Sequence, residues 1–188
     1  MTQTPIKLTF EEYLTYDDGT DNRYELEDGV LIKMTPQSPI HVLIALFLYN
    51  TLNTYVCSNY PDWLVTQAGV GVQTQTGRTR YPDISIVEQS VFAMLTTNNI
   101  LNRQEPLILA IEIVSPESVK RDYIDKLAEY QALNIPEYWI VDQIKKQVTI
   151  NQLLDGVYQN SILMEKDIIV SALFPGLVLT VKDVLRLN

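Results

Sequence analysis

Apolar positions recur along this chain with three different spacings, and each spacing predicts a different element. From Ile40 to Val56 they fall near every 3.6 residues, at Val42, Ile44, Ala45, Leu48, Leu52 and Val56, behind Ser38 as N-cap and Pro39 in the first helical position. This is the longest predicted helix. A shorter one opens at Thr9, whose T-x-x-E spacing to Glu12 is that of a capping box, and runs to about Asp17 before Asp18-Gly19 stops it. Alternation with a period of two predicts a hairpin, Arg23–Glu27 with Val30–Met34, around Asp28-Gly29. It also predicts one long strand from Trp63 to Thr76, in which Gly69 and Gly71 mark a bulge, a bend or a close backbone approach. Gly77 to Arg80 then turns the chain into a strand from Tyr81 to Val87 that carries Asp83 just inside its start.

The third pattern is continuous. Leu107 to Val114 is a nearly unbroken apolar run, the composition of a strand covered on both faces. Ser115-Pro116, a helical stretch, Asn134-Ile135-Pro136 and a second apolar run, Tyr138 to Val141, follow, so Pro106 to Asp142 reads strand, helix, strand. Upstream, Ser90 caps a short helix to about Leu95, and Thr96 to Glu105 is a polar loop. Downstream, Lys146–Leu154 and Gly156–Leu163 pair about Asp155-Gly156, Ile168–Val170 and Leu177–Val181 add edge strands, and Lys182–Leu187 closes as a short helix. The sum is an α/β fold, a mixed β-sheet flanked by helices, with residues 1–188 as a single domain free of repeats and linkers.

Composition narrows the function. A chain of 188 residues can bury one sizeable core without a disulfide or metal staple. Its apolar runs fall short of the ~20 residues that span a bilayer. Its first residues show no basic segment followed by an apolar one, and Cys57 is alone, so a cytoplasmic protein without a membrane partner is expected. The net charge of −9, from 14 basic and 23 acidic residues, counts against tight, non-specific DNA binding. It leaves room for a locally basic cleft, and carboxylates gathered around divalent cations would themselves add to the acidic excess.

One charge interrupts the central apolar run. A buried, unpaired carboxylate costs several kcal/mol or more, so Glu112 either reaches solvent or an arginine at the strand end, or is protonated, paired or bound to a cation. Asp83 stands out in the same way near the start of another strand, with enough chain between the two for a loop and a crossover that set the strands side by side. Two converging carboxylates and a lysine have a specific use: the acids hold Mg²⁺ that polarises a phosphodiester, and the ammonium offsets charge. Lys126 is the candidate cation, because Asp122, Lys126 and Tyr130 recur at i, i+4 and i+8 and share one side of the predicted helix, opposite Ile124, Leu127, Ala128 and Gln131. The same spacing also describes a solvated stripe with an ordinary Asp–Lys pair. His41, the single histidine, sits in the first turn of the long helix, as a packing or surface residue or at a site's edge, and Glu25 lies mid-strand in the first hairpin.

The segments PDISIV, LAIEIVSPES and RDYIDKLAEYQALNIPEYWIVD, with RYELEDGVL before them and FPGLVLTVKDVL after, resemble the Uma-type family of putative restriction endonucleases, a branch of the PD-(D/E)xK nuclease fold. The likeness runs from Phe10 to about Leu185 with its motifs in order. It implies a restriction-endonuclease-like core and a Mg²⁺-dependent (or Mn²⁺-dependent) endonuclease acting on DNA. It also implies Asp83 as the aspartate of the PD pair and Glu112 as the acid of the (D/E)xK element, both metal ligands, joined by the backbone carbonyl of Ile113. Val114 stands where the motif has lysine, so the resemblance implies a lysine that has migrated to Lys126, where the D-x-x-x-K-x-x-x-Y spacing of Asp122, Lys126 and Tyr130 matches. Glu25, in the YELEDG hairpin, becomes a further acidic ligand, a residue that supports the ligands from behind, or a structural partner of Arg23 or Lys33, and His41 a residue at the site's edge. By fold analogy a homodimer is expected, since two sites cut a duplex most simply. Two other functions stay open: a catalytically silent nuclease fold that binds or regulates, and a metal-dependent hydrolase of a smaller phosphate ester.

Overall fold

The computed structural model describes residues 7–95, 99–105 and 107–186. Thr9 accepts from the Glu12 N–H and Glu12 accepts from the Thr9 N–H, and this capping box opens α1 (Phe10–Leu14), which stops short of Asp17. β1 (Tyr24–Glu27) and β2 (Val30–Lys33) form the predicted hairpin, with Asp28 and Gly29 at φ 52° and 83° supplying the two positive angles of its turn. α2 (Pro39–Asn59) begins at Ser38, whose hydroxyl accepts from the His41 N–H, and runs past Val56. By length and composition α2 has the apolar character of a bilayer span, more than the sequence reading allowed. Its sides differ, however: Ile44, Ala45, Leu48, Leu52 and Val56 are buried, whereas Asn50, Thr54 and Ser58 are exposed, the pattern of a helix laid on a sheet.

The stretch from Trp63 to Thr76 is two strands rather than one. β3 (Trp63–Gln67) and β4 (Gly71–Gln75) lie in different sheets, parted near Ala68, which adopts φ 46°. Gly71 is a close approach, since a Cβ there would meet the Tyr81 ring at 2.7 Å. Arg78–Arg80, expected as a turn, is β5 and pairs with β4. β6 (Ile84–Glu88) starts one residue after Asp83, so this aspartate precedes the strand instead of lying inside it. Glu88, not Ser90, is the N-cap of α3 (Gln89–Ala93). β7 (Ile100–Leu101) pairs with β4 within the predicted loop, of which residues 96–98 lie outside the described residues, as does Pro106.

β8 (Leu109–Ile113) and β9 (Glu137–Asp142) are the parallel strands of the central unit. The helix between them is not uniform. Arg121–Asp125 is a π turn, in which the Lys126 N–H reaches the Arg121 carbonyl five residues back, and α4 (Lys126–Ala132) continues it. β10 (Gln147–Leu154) and β11 (Val157–Met164) form the last hairpin. In place of two edge strands, Ile168 and Thr180 join in an isolated bridge, and a Thr180–Asp183 capping box opens α5 (Val181–Leu185), with Leu187 outside the described residues.

Among the described residues the main sheet has the order β11-β10-β9-β8-β6-β3 and is mixed, parallel only between β8 and β9. Its two faces separate the core. Ile84, Ile86, Ile111 and Ile113 pack with α2 and α5, while Val87, Ala110, Tyr138 and Ile140 pack with Tyr130 and Leu133 of the helix that follows β8. Side chains alternate across a strand, so Glu112 shares the face of Ala110 and looks toward α4. The antiparallel register Ile84–Ile111, continued by one residue, sets Asp83 opposite Glu112.

Candidate active site

Asp83 stands at the end of β6 against β8. Its Oδ2 accepts from the Ile113 N–H at 2.8 Å, and its Oδ1 accepts from Gln37 Nε2 at 2.8 Å and lies 2.9 Å from His41 Nε2. His41 reaches it because the Ser38 cap starts α2 beside this strand end. In a strand the N–H and C=O of one residue point to the same side, which directs the Ile113 carbonyl toward Asp83 as well.

Glu112 meets the helix. Its Oε1 lies 2.8 Å from Lys126 Nζ and accepts from the Tyr130 hydroxyl at 2.8 Å. Lys126 is also 3.4 Å from Asp122 Oδ1 and 3.8 Å from Glu25 Oε1, and it is only 3% exposed. The stripe Asp122–Lys126–Tyr130 is therefore the buried side of the helix, and the apolar Ile124 is 58% exposed. That overturns the reading of a solvated stripe, because a helix packed on an ordinary apolar core turns the other way. Glu25, Asp83, Glu112, Asp122, Lys126 and Arg121 line one cleft of about 480 Å³.

The charges in this cleft do not balance. Burial is the largest influence on Glu112; Lys126 opposes it, while Asp122, Asp83 and Glu25 reinforce it, and the carboxyl is pushed up to about 8. Asp122 is raised too, again chiefly by burial against the pull of Lys126. Burial acts to discharge Lys126, yet Glu112, then Glu25 and Asp122, hold its ammonium protonated above the usual lysine range. Asp122 Oδ2 takes the Ser118 hydroxyl, whereas its Oδ1 is buried with no hydrogen bond. Among the described residues no three His, Cys, Asp or Glu side chains are gathered as a metal cluster, so a cation here would draw on side-chain and backbone oxygens together. The surplus of carboxylate over ammonium, and an Asp122 oxygen that has Lys126 at 3.4 Å but no hydrogen bond, fit a divalent cation with hard oxygen donors.

A second ionic cluster lies behind the first, and sequence reasoning missed it. Arg80 is fully buried, with Nε and Nη2 each 2.8 Å from one oxygen of Glu129 and Nη1 3.4 Å from Glu25 Oε2. Glu25 therefore pairs with Arg80 and accepts the Tyr81 N–H at 3.1 Å; it turns to neither Arg23 nor Lys33. The signal available was the three-residue step from Lys126 to Glu129, which keeps both on one side of the helix.

With this geometry in place, one comparison decides the family. A family model described as "Uma2: Putative restriction endonuclease" matches residues 10–182. The chain belongs to the Uma2 family. A solved structure of "a putative nuclease belonging to DUF820 from Anabaena variabilis" is 18% identical to this Uma2-family chain, with a TM-score of 0.76 over 97% of this chain and 98% of that one. At that identity the likeness is one of fold. No curated protein matches.

Proposed function

We propose that this Uma2-family chain is an endonuclease that hydrolyses phosphodiester bonds of DNA with Mg²⁺ or Mn²⁺, which Asp83, Glu112 and the Ile113 carbonyl would hold. The observation that carries the reading is the meeting of three residues far apart in sequence. Lys126 Nζ lies 2.8 Å from Glu112, and Asp83 is bonded to the next residue, Ile113, in the same cleft. When bound, the cation polarises the phosphodiester and makes water a stronger nucleophile.

The chain's own groups do the rest. Gln37 and His41 fix the Asp83 carboxylate through Oδ1, and Tyr130 fixes Glu112 through Oε1, so both acids are oriented before substrate arrives. Lys126, kept protonated by its carboxylate neighbours, offsets the negative charge that grows on the phosphoryl oxygens. As the water oxygen bonds to phosphorus it gives up a proton to solvent, the P–O ester bond breaks, and the leaving alkoxide takes a proton from solvent, so that none is consumed overall.

The test is cleavage of supercoiled plasmid and single-stranded DNA at low salt with Mg²⁺ or Mn²⁺. Wild type should cut, and Asp83→Ala and Lys126→Ala should each lose about 10²-fold or more. Equal cleavage by all three proteins, or none by wild type, overturns the reading in favour of a silent, regulatory nuclease fold.

A further inference from the structure

We infer that Arg121 is a phosphate-binding residue, which holds a backbone phosphate of a polynucleotide beside the one being cut. This rests on the nuclease reading and deepens it, because it makes the substrate a strand rather than a small ester.

Arg121 lines the same cleft as Asp83, Glu112 and Lys126. Its Nε is buried and has no hydrogen-bond partner, although a buried donor left unpaired costs about 1–3 kcal/mol. Carboxylates are plentiful in this chain, and Arg78 and Arg80 both take them. Among the described residues Arg121 makes no ion pair, even though Asp122, the next residue, carries an oxygen without a hydrogen bond. Asp122 belongs to Lys126 and Ser118. An always-charged, planar fork kept off the surrounding acids and open to a cleft matches the geometry of phosphate.

Which phosphate follows from position. Lys126 is occupied by the acids of the reacting centre, whereas Arg121 precedes it by five residues, one turn of the π segment. An anion on Arg121 is therefore displaced from the one facing Lys126. Lys33, exposed on β2, lines the cleft too. Cations in the cleft give an acidic protein a local hold on a strand that its net charge opposes.

The experiment measures binding, with cleavage blocked. A fluorescein-labelled 20-mer, single-stranded and as a duplex, is titrated by anisotropy with Asp83→Asn protein in Mg²⁺ at several salt concentrations. Adding Arg121→Gln should weaken affinity about tenfold and reduce the slope of log K against log salt by about one. Arg121→Lys, which keeps the charge but loses the fork, should keep the slope and recover only part of the affinity. Unchanged affinity and slope in Arg121→Gln overturn the proposal, and plasmid cleavage by wild type then shows that the nuclease reading survives. A fall in melting temperature without a change in slope assigns Arg121 a structural role and also overturns it. No binding of either probe by the Asp83→Asn parent overturns it as well, and wild-type hydrolysis of bis(p-nitrophenyl) phosphate would then point to a smaller ester.

Discussion

Two ionic clusters share one helix, and they are built on opposite principles. Around Glu129 every oxygen is used twice: Oε2 accepts from Thr74 and Arg80 Nε, and Oε1 from Arg78 Nη1 and Arg80 Nη2. Burial acts to raise this carboxyl, but Arg80 and the other donors outweigh it and hold Glu129 below the usual range. Around Glu112 one lysine serves several acids, an Asp122 oxygen has that lysine at 3.4 Å but no hydrogen bond, and the Glu112 carboxyl is pushed up to about 8. The first cluster is closed and the second opens on a cleft. A saturated buried pair has nothing left to offer a ligand, whereas an unsaturated one is costly unless something completes it. Glu25 joins them, bonded to Arg80 on one side and 3.8 Å from Lys126 on the other, so the closed cluster holds the open one in position.

The largest effect is expected from opening the closed cluster. Arg80→Met removes the fully buried guanidinium that takes both oxygens of Glu129, leaves that buried charge only the partly exposed Arg78, and should lower stability by about 3–5 kcal/mol, read as a lower urea midpoint at unchanged slope. The double variant Arg80→Met/Glu129→Met should recover part of that loss, giving a favourable coupling in the cycle. A single-variant loss under about 1 kcal/mol would mean that the pair is not structural. Next in size is Lys126→Met, which should cut plasmid cleavage about 10²–10³-fold while leaving a cooperative unfolding transition. Cleavage at wild-type rate would remove lysine from the reaction.

How much of this was readable beforehand depends on whether one element or several had to agree. The β1–β2 hairpin, the start of α2 and the β8–helix–β9 unit follow from local signals: Asp28-Gly29, Ser38-Pro39 and an apolar run ended by Ser115-Pro116. Asp83 and Glu112 could be singled out because each is a charge at a strand end, and the i, i+4, i+8 spacing joined Lys126 to Asp122 and Tyr130. Which side of that helix is buried was not readable, since burial depends on what the acids of other elements require. The division of Trp63–Thr76 was also hidden: both halves alternate like one strand, and only Ala68, a non-glycine at φ 46°, parts them. Arg80 looked like part of a turn because its partners, Glu129 and Glu25, come from elements distant in sequence.

Smaller effects sharpen the contrast. Because the open cluster lacks positive charge, Mg²⁺ should stabilise wild type by about 2.7 kcal/mol at a hundredfold excess over its dissociation constant, seen as a rise in melting temperature that Asp83→Asn abolishes. Arg80→Lys keeps the cation requirement intact and should respond to Mg²⁺ like wild type, though from a lower baseline; a lost response there would place the metal on the wrong cluster.

The smallest expected effect is Arg78→Ala. Arg78 is the rim of the closed cluster, with 23% of its side chain exposed and Asp28, its other partner, 65% exposed. Exposed pairs contribute about 0–1 kcal/mol and weaken with salt. Glu129 Oε1 would still accept from Arg80 Nη2, so no buried charge is stranded. The loss should therefore stay within about 1 kcal/mol and shrink as salt rises. A salt-independent loss as large as that of Arg80→Met would mean that Glu129 needs both guanidiniums to be neutralised, and that the closed cluster, like the open one, stands one charge from balance.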